Sequence, residues 1–253
     1  MSANLKSSLL YEQHFRWRAG EITRLEAFSD AVFAFAVTLL VVSLEVPHTY
    51  AELAGVMKGF VAFGICFAAL VLVWKEHSLY FRRYGLQTPY VMFLNSVLLF
   101  LVLFFVYPLK FLFTFLVGEF TGGRLAVYHP AEPPILQQQI PALMSMYGIG
   151  LAAVYLIFVL LYRYAYKRRD ALELNEVESF ITRRSIYDHA AIMSIGLFST
   201  ILANLLPARI SGLSGMIYWL VPVYFTVAGS VFGKRQRILA EAGRRRMSAK
   251  PSH

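Results

Sequence analysis

Arg24-Leu-Glu-Ala-Phe-Ser-Asp30 runs without a break into Ala31-Val-Phe-Ala-Phe-Ala-Val-Thr-Leu-Leu-Val-Val-Ser-Leu-Glu-Val-Pro47. From Ala31 to Leu44 no residue is charged. With Ala27 and Phe28 ahead and Val46 behind, the stretch makes about twenty mostly apolar residues, enough to cross roughly 30 Å of hydrocarbon as a helix. Pro47 ends it, because proline has no amide proton for the next helical hydrogen bond. A carboxylate such as Asp30 near the end of a spanning helix is tolerated only where it meets a partner or water, which makes Asp30 a candidate site residue.

The rest of the chain reads the same way. Of its 253 residues 58% are hydrophobic and only 15% charged, which excludes a soluble domain of this size. Six apolar runs are long enough to span, at about 27–46, 54–74, 91–117, 143–162, 187–206 and 212–232. The expected fold is therefore all-α, a polytopic membrane protein with six transmembrane helices per chain. Residues 1–232 form the membrane domain, and 233–253 form a basic cytoplasmic tail.

Basic residues near span ends stay in the cytoplasm, and this orients the chain. With the N-terminus inside, 20 of the 24 Lys and Arg fall on the cytoplasmic side; Lys58, Lys110, Arg124 and Arg209 remain in or near the outer half. Both termini are then cytoplasmic. The net charge of +9 sits where topology and an anionic lipid leaflet place it, so the expected partner is the bilayer and not nucleic acid. Cys66 stands alone inside span two, expected to be a small buried hydrophobe with no disulfide or metal. The first 26 residues carry no apolar core of a cleavable signal, so span one is expected to act as its own insertion signal.

Span two is expected to continue past the membrane as Trp74-Lys-Glu-His-Ser-Leu-Tyr-Phe-Arg-Arg-Tyr84, with Gly85 to Pro89 turning into span three. Pro108 is expected to kink span three unless neighbours satisfy the carbonyl it frees. The stem of Lys110 is long enough to carry its ammonium outward.

Arg24-x-x-x-Phe28-Ser29-Asp30 at the start of the first of six spans resembles the signature of the transmembrane protein 175 family of potassium channels, in its bacterial branch. The likeness continues in Thr38 and Pro47, in Trp74 and His77 at the cytoplasmic end of span two, and in Asn95 and Pro108 of span three. It covers roughly the first 110 residues. The resemblance implies a multi-pass protein of the bacterial inner membrane, a tetramer whose first spans line a central pore. It also implies potassium as permeant ion, apolar and threonine rings as the filter, and no cofactor, no resident metal and no enzymatic activity. The Thr-Val-Gly-Tyr-Gly loop of carbonyl-lined filters is absent, in agreement.

Helical spacing puts Arg24, Ala27, Ala31, Phe35, Thr38, Val42 and Glu45 on one stripe. With four copies facing an axis, Glu45 would form a carboxylate ring at the outer mouth and Thr38 a ring of hydroxyls. Ala31, Phe35 and Val42 would line the passage, Phe35 and Val42 as constrictions that exclude water. The family pattern has Ile or Leu where this chain has Phe35, and a ring of four phenylalanines closes more tightly. A proton leak or weakly selective cation pore is the alternative. A secondary transporter lacks its paired broken spans here, and an intramembrane enzyme would need Asp30, His77, Asp188 and His189 to converge.

Structural roles stand beside these. Arg24, Ser29 and Asp30 could cap their helix and pair with span two, Thr38 could bond the carbonyl one turn back, His77 could be an interfacial hydrogen-bonding group, and Asn95 could join helices.

Overall fold

A computed structural model describes residues 15–42, 48–122, 124–125, 135–207 and 209–228, and among them every regular element is a helix. In chain order these are α1 Arg24–Val42, α2 Tyr50–Lys58, α3 Phe60–Tyr84, α4 Pro89–Phe120, α5 Ile140–Lys167 and α6 Glu176–Leu205. The last, α7, runs over Ser211–Ala228 and is wound as a 3₁₀ helix to Trp219. Five of them, α3 to α7, are long and apolar enough to cross a membrane. At 1.5 Å per residue the 32 residues of α4 extend about 48 Å, well beyond the hydrocarbon.

α1 carries Arg24, Glu26 and Asp30 in its first two turns. Its expected upper end, with Glu45 and Pro47, lies outside the described residues, as does the tail from 233 onward. Thr23 starts the helix. Its hydroxyl accepts from the Glu26 amide at 3.2 Å while the Glu26 carboxylate accepts from the Thr23 amide at 3.0 Å, a reciprocal cap that satisfies two orphan donors.

Two spans differ from the expected bounds. The run read as 54–74 is divided: α2 stops at Lys58, Gly59 bonds back only three residues to Val56, and α3 begins at Phe60 and continues to Tyr84. A hydropathy window passes over this break because Gly59 adds no polarity. The run read as 187–206 starts three turns earlier. Asn175 caps α6 by accepting from the Glu178 amide at 2.9 Å, and the Glu178 carboxylate accepts in turn from the Asn175 amide at 3.0 Å. The turns from Glu176 to Tyr187 are helical but too polar to count as apolar.

α1 lies on α3 and α4, α4 joins them to α5, and α5 and α6 form an antiparallel hairpin against which α7 packs. One core runs through the first group, with Phe33, Ala36 and Leu40 of α1, Cys66 and Leu70 of α3, Leu94 and Leu98 of α4 and Phe158 and Leu161 of α5. Cys66 is fully buried in it. α4 continues through Pro108, whose carbonyl accepts from the Tyr147 hydroxyl at 2.5 Å. Lys110 does not reach outward: its ammonium donates to the Leu40 carbonyl of α1 at 3.1 Å.

Candidate functional site

The residues of the Arg-x-x-x-Phe-Ser-Asp motif divide between two faces of α1. Ser29 is fully buried, and below it on the same face Phe33, Ala36 and Leu40 follow at helical spacing, all 5% exposed or less. Ser29 donates to the Leu25 carbonyl at 2.8 Å, so its oxygen is left to accept, and it takes the Asn95 amide of α4 at 2.9 Å. Asn95 in turn presents its carbonyl oxygen to Nε2 of His77 on α3 at 2.7 Å. The direction of each bond fixes the next: Asn95 has only an acceptor left for His77, so Nε2 carries the proton. The chain His77 to Asn95 to Ser29 to Leu25 thus ties α3, α4 and α1 together with three buried side chains.

Packing holds this chain in place. The imidazole of His77 lies between Phe33 and Phe81, with ring centroids 5.6 and 4.7 Å away. Asp30 sits one residue round the helix at the rim, where it accepts from the Trp74 indole at 2.7 Å. The carboxylate at the start of the span therefore has a partner, as its position requires.

The opposite face of α1 is open. Arg24, Ala27, Phe28, Ala31, Phe35 and Thr38 are all exposed, Phe28 by 61% and Phe35 by 55%. Thr38 donates its hydroxyl to the Ala34 carbonyl at 3.0 Å, one turn back. That bond engages the proton and leaves the oxygen lone pairs outward. Of the remaining stripe, the side chain of Val42 and all of Glu45 fall outside the described residues.

The four groups weighed for catalysis do not converge. Asp30 and His77 belong to the bonds just described, whereas Asp188 on α6 accepts from Tyr224 at 2.9 Å and pairs with Arg184 at 3.4 Å. His189 places Nδ1 2.6 Å from the Ser185 carbonyl and Nε2 3.6 Å from Glu76. Its ring stacks on Tyr162 at 5.0 Å. The His189–Glu76 contact and the Thr23–Glu26 cap escape hydropathy reading; the Thr-x-x-Glu spacing before an apolar run is a signal for the cap, while nothing local announces the pair.

A model of the family described as endosomal/lysosomal potassium channel TMEM175 matches residues 24–106, which contain both faces of α1, Trp74, His77 and Asn95. A protein of Marivirga tractuosa named a potassium channel is 38% identical over 234 residues, covering 90% of this chain and 94% of the relative. A potassium channel of Chamaesiphon minutus is 33% identical over 116 residues, 43% of this chain and 57% of that protein. The chain superposes on a crystal structure of a variant of the potassium channel MtTMEM175 bound to a nanobody–MBP fusion with a TM-score of 0.77. That match has 38% identity and covers 88% of this chain and 98% of the other. A crystallised lysosomal potassium-selective channel TMEM175 homolog from Chamaesiphon minutus gives 0.52 at 25% identity, covering 81% and 95%.

Proposed function

This chain belongs to the TMEM175 family of potassium channels, in its bacterial branch, and from that premise we propose how it makes a pore. Four copies surround an axis in the bacterial inner membrane, and the open face of α1 in each turns inward. The observation that carries this reading is the division of α1. Its Ser29–Phe33–Ala36–Leu40 face is consumed within the chain, while Ala31, Phe35 and Thr38 are exposed among the described residues. Small residues at Ala27 and Ala31 allow close approach, and Thr38 offers oxygen lone pairs in a ring where a potassium ion can exchange part of its hydration. By helical spacing in the sequence, Val42 and Glu45 would continue the lining to an acidic mouth.

The axis is oriented with α1's start inside. Arg16, Arg18, Arg82, Arg83, Arg168 and Arg169 all gather where α1 and α6 begin and α3 and α5 end, which supports a cytoplasmic base under the positive-inside rule. Phe35 is the constriction.

Potassium flux into liposomes carrying the purified protein, run beside sodium, tests the reading. Wild-type potassium flux above sodium is the expected result, larger still in Phe35→Ala. Equal flux of both ions, or of protons alone, would favour the leak; silence in both proteins would remove α1 from the pore.

A further inference from the structure

Ahead of α1 lies a segment that the pore reading does not use, and it is densely bonded. Arg18 and Ala19 donate their amides to the Arg82 carbonyl at the end of α3, at 3.2 and 3.3 Å. The crossing is close: Gly85 adopts φ +59°, which L side chains rarely take, and a Cβ there would lie a tight 3.3 Å from the Arg18 carbonyl carbon. Phe15 is buried edge-on against Tyr84 at 5.5 Å, with the Arg83 guanidinium 5.0 Å from its ring.

The Arg18 side chain reaches the other half of the molecule. Its Nε donates to the Leu172 carbonyl at 2.7 Å, and its two terminal nitrogens reach the Glu178 carboxylate at 2.7 and 3.2 Å. They also donate to the Arg16 and Glu173 carbonyls at 2.9 and 3.2 Å. Glu178 accepts the Arg16 amide as well, at 2.7 Å. The pair is almost dry, with Arg18 11% and Glu178 1% exposed. A buried pair with every donor placed is geometrically specific, and removing one partner strands the other.

After this clamp only Gly20, Glu21 and Ile22, all exposed, intervene before Thr23 caps α1. Four Cα steps reach at most ~14 Å, so whatever holds Ala19 restrains the start of α1. α1 otherwise packs on α3 and α4, whereas α6 packs mainly on α5 and α7 and meets α3 through side chains, Thr182 on Tyr84 at 2.8 Å and His189 on Glu76 at 3.6 Å.

We propose that the Arg18–Glu178 clamp positions α1, transmitting the placement of the α5–α6 hairpin to the pore helix through the Gly20–Ile22 link. This rests on the reading of α1 as pore lining, and Arg18 is its positioning residue. Glu178 also caps α6, so Arg18 is the informative site to change.

The test compares full-length wild type with Arg18→Gln, Arg18→Lys and a Gly-Ser-Gly-Ser insertion between Gly20 and Glu21, all in liposomes. Hydrogen exchange by mass spectrometry and potassium flux are both read. Arg18→Gln and the insertion should each speed exchange in the first two turns of α1 by roughly tenfold and change flux severalfold in the same direction. The insertion should leave residues 176–182 protected, since it touches no clamp bond. Arg18→Lys should fall between, because a point charge keeps Glu178 but not the fork to Leu172 and Glu173. Faster exchange confined to residues 15–19 and 176–182, with α1 and flux unchanged, would overturn the proposal, as would an insertion indistinguishable from wild type. Should wild type and Phe35→Ala both be silent while α1 exchange still responds, the pore reading fails and the clamp's hold on α1 stands.

Discussion

The seam between α5 and α6 and the seam joining α1 to α3 and α4 solve one problem in opposite ways. Lipid tails are as apolar as leucine, so helices in a bilayer gain little from burying apolar surface and need close backbone approach or interhelical hydrogen bonds. α5 and α6 use the first. A Cβ on Gly148 would stand 2.6 Å from the Gly196 carbonyl and overlap the Thr200 hydroxyl, and one on Gly196 would stand 2.7 Å from the Gly148 carbonyl. Gly148 with Ala152 and Gly196 with Thr200 are small residues four apart on facing helices. α1 uses the second, through Ser29, Asn95 and His77. Shape holds the hairpin as a unit, while a few directed bonds hold α1 and leave its other face free.

The largest effect is expected at the small-residue seam. Gly196→Leu drives a side chain into backbone that has no room to give, and a loss of at least about 4 kcal/mol is expected, seen as failure to recover a monodisperse protein on size exclusion. A variant as stable as wild type would mean that the two backbones are not in contact there. The polar seam should yield less. Asn95→Leu removes the acceptor of His77 Nε2 and the donor to Ser29, which keeps only its bond to the Leu25 carbonyl, a cost of about 1–3 kcal/mol by the usual penalty for orphaned groups. Thermal unfolding in detergent measures it, and Ser29→Ala added to Asn95→Leu should lower stability little further, because the two act as one network. The smallest stability effect belongs to the open face. Thr38→Val removes an exposed hydroxyl whose bond runs to the Ala34 carbonyl of its own helix, so stability should stay within about 0.5 kcal/mol. The ratio of potassium to sodium flux should nonetheless fall, and an unchanged ratio would detach Thr38 from selectivity.

Much of this was legible along the chain, and the exceptions have physical causes. Six spans were expected from the apolar runs, and five of those runs fall on the membrane-competent helices α3 to α7, while the motif with Trp74, His77 and Asn95 pointed to the family. The break at Gly59 was invisible because it is a local tightening to a three-residue hydrogen bond, at φ −74° and ψ −6°, that leaves the hydropathy of the run unchanged. The early start of α6 was hidden by its polar first turns, although Asn175-x-x-Glu178 is a legible capping signal. Lys110 was expected to reach outward, yet its ammonium donates to the Leu40 carbonyl across the seam, a partner 70 residues away that no local pattern announces. Arg18 looked like one more topology charge, and its partner lies 160 residues away.

By itself the sequence determined the solvent and the distribution of charge between the two ends, because hydropathy and charge are sums over neighbours along the chain. It also determined that Asp30 needed a partner, since a carboxylate at a span end is penalised wherever it sits. Which side chain answered that need, which face of α1 was consumed and which left open, and that Arg18 joins the start of α1 to α6 were decided by tertiary structure alone. α1 is apolar nearly all round beyond Asp30, so periodicity offers no preferred face; only the helices that close against it choose one.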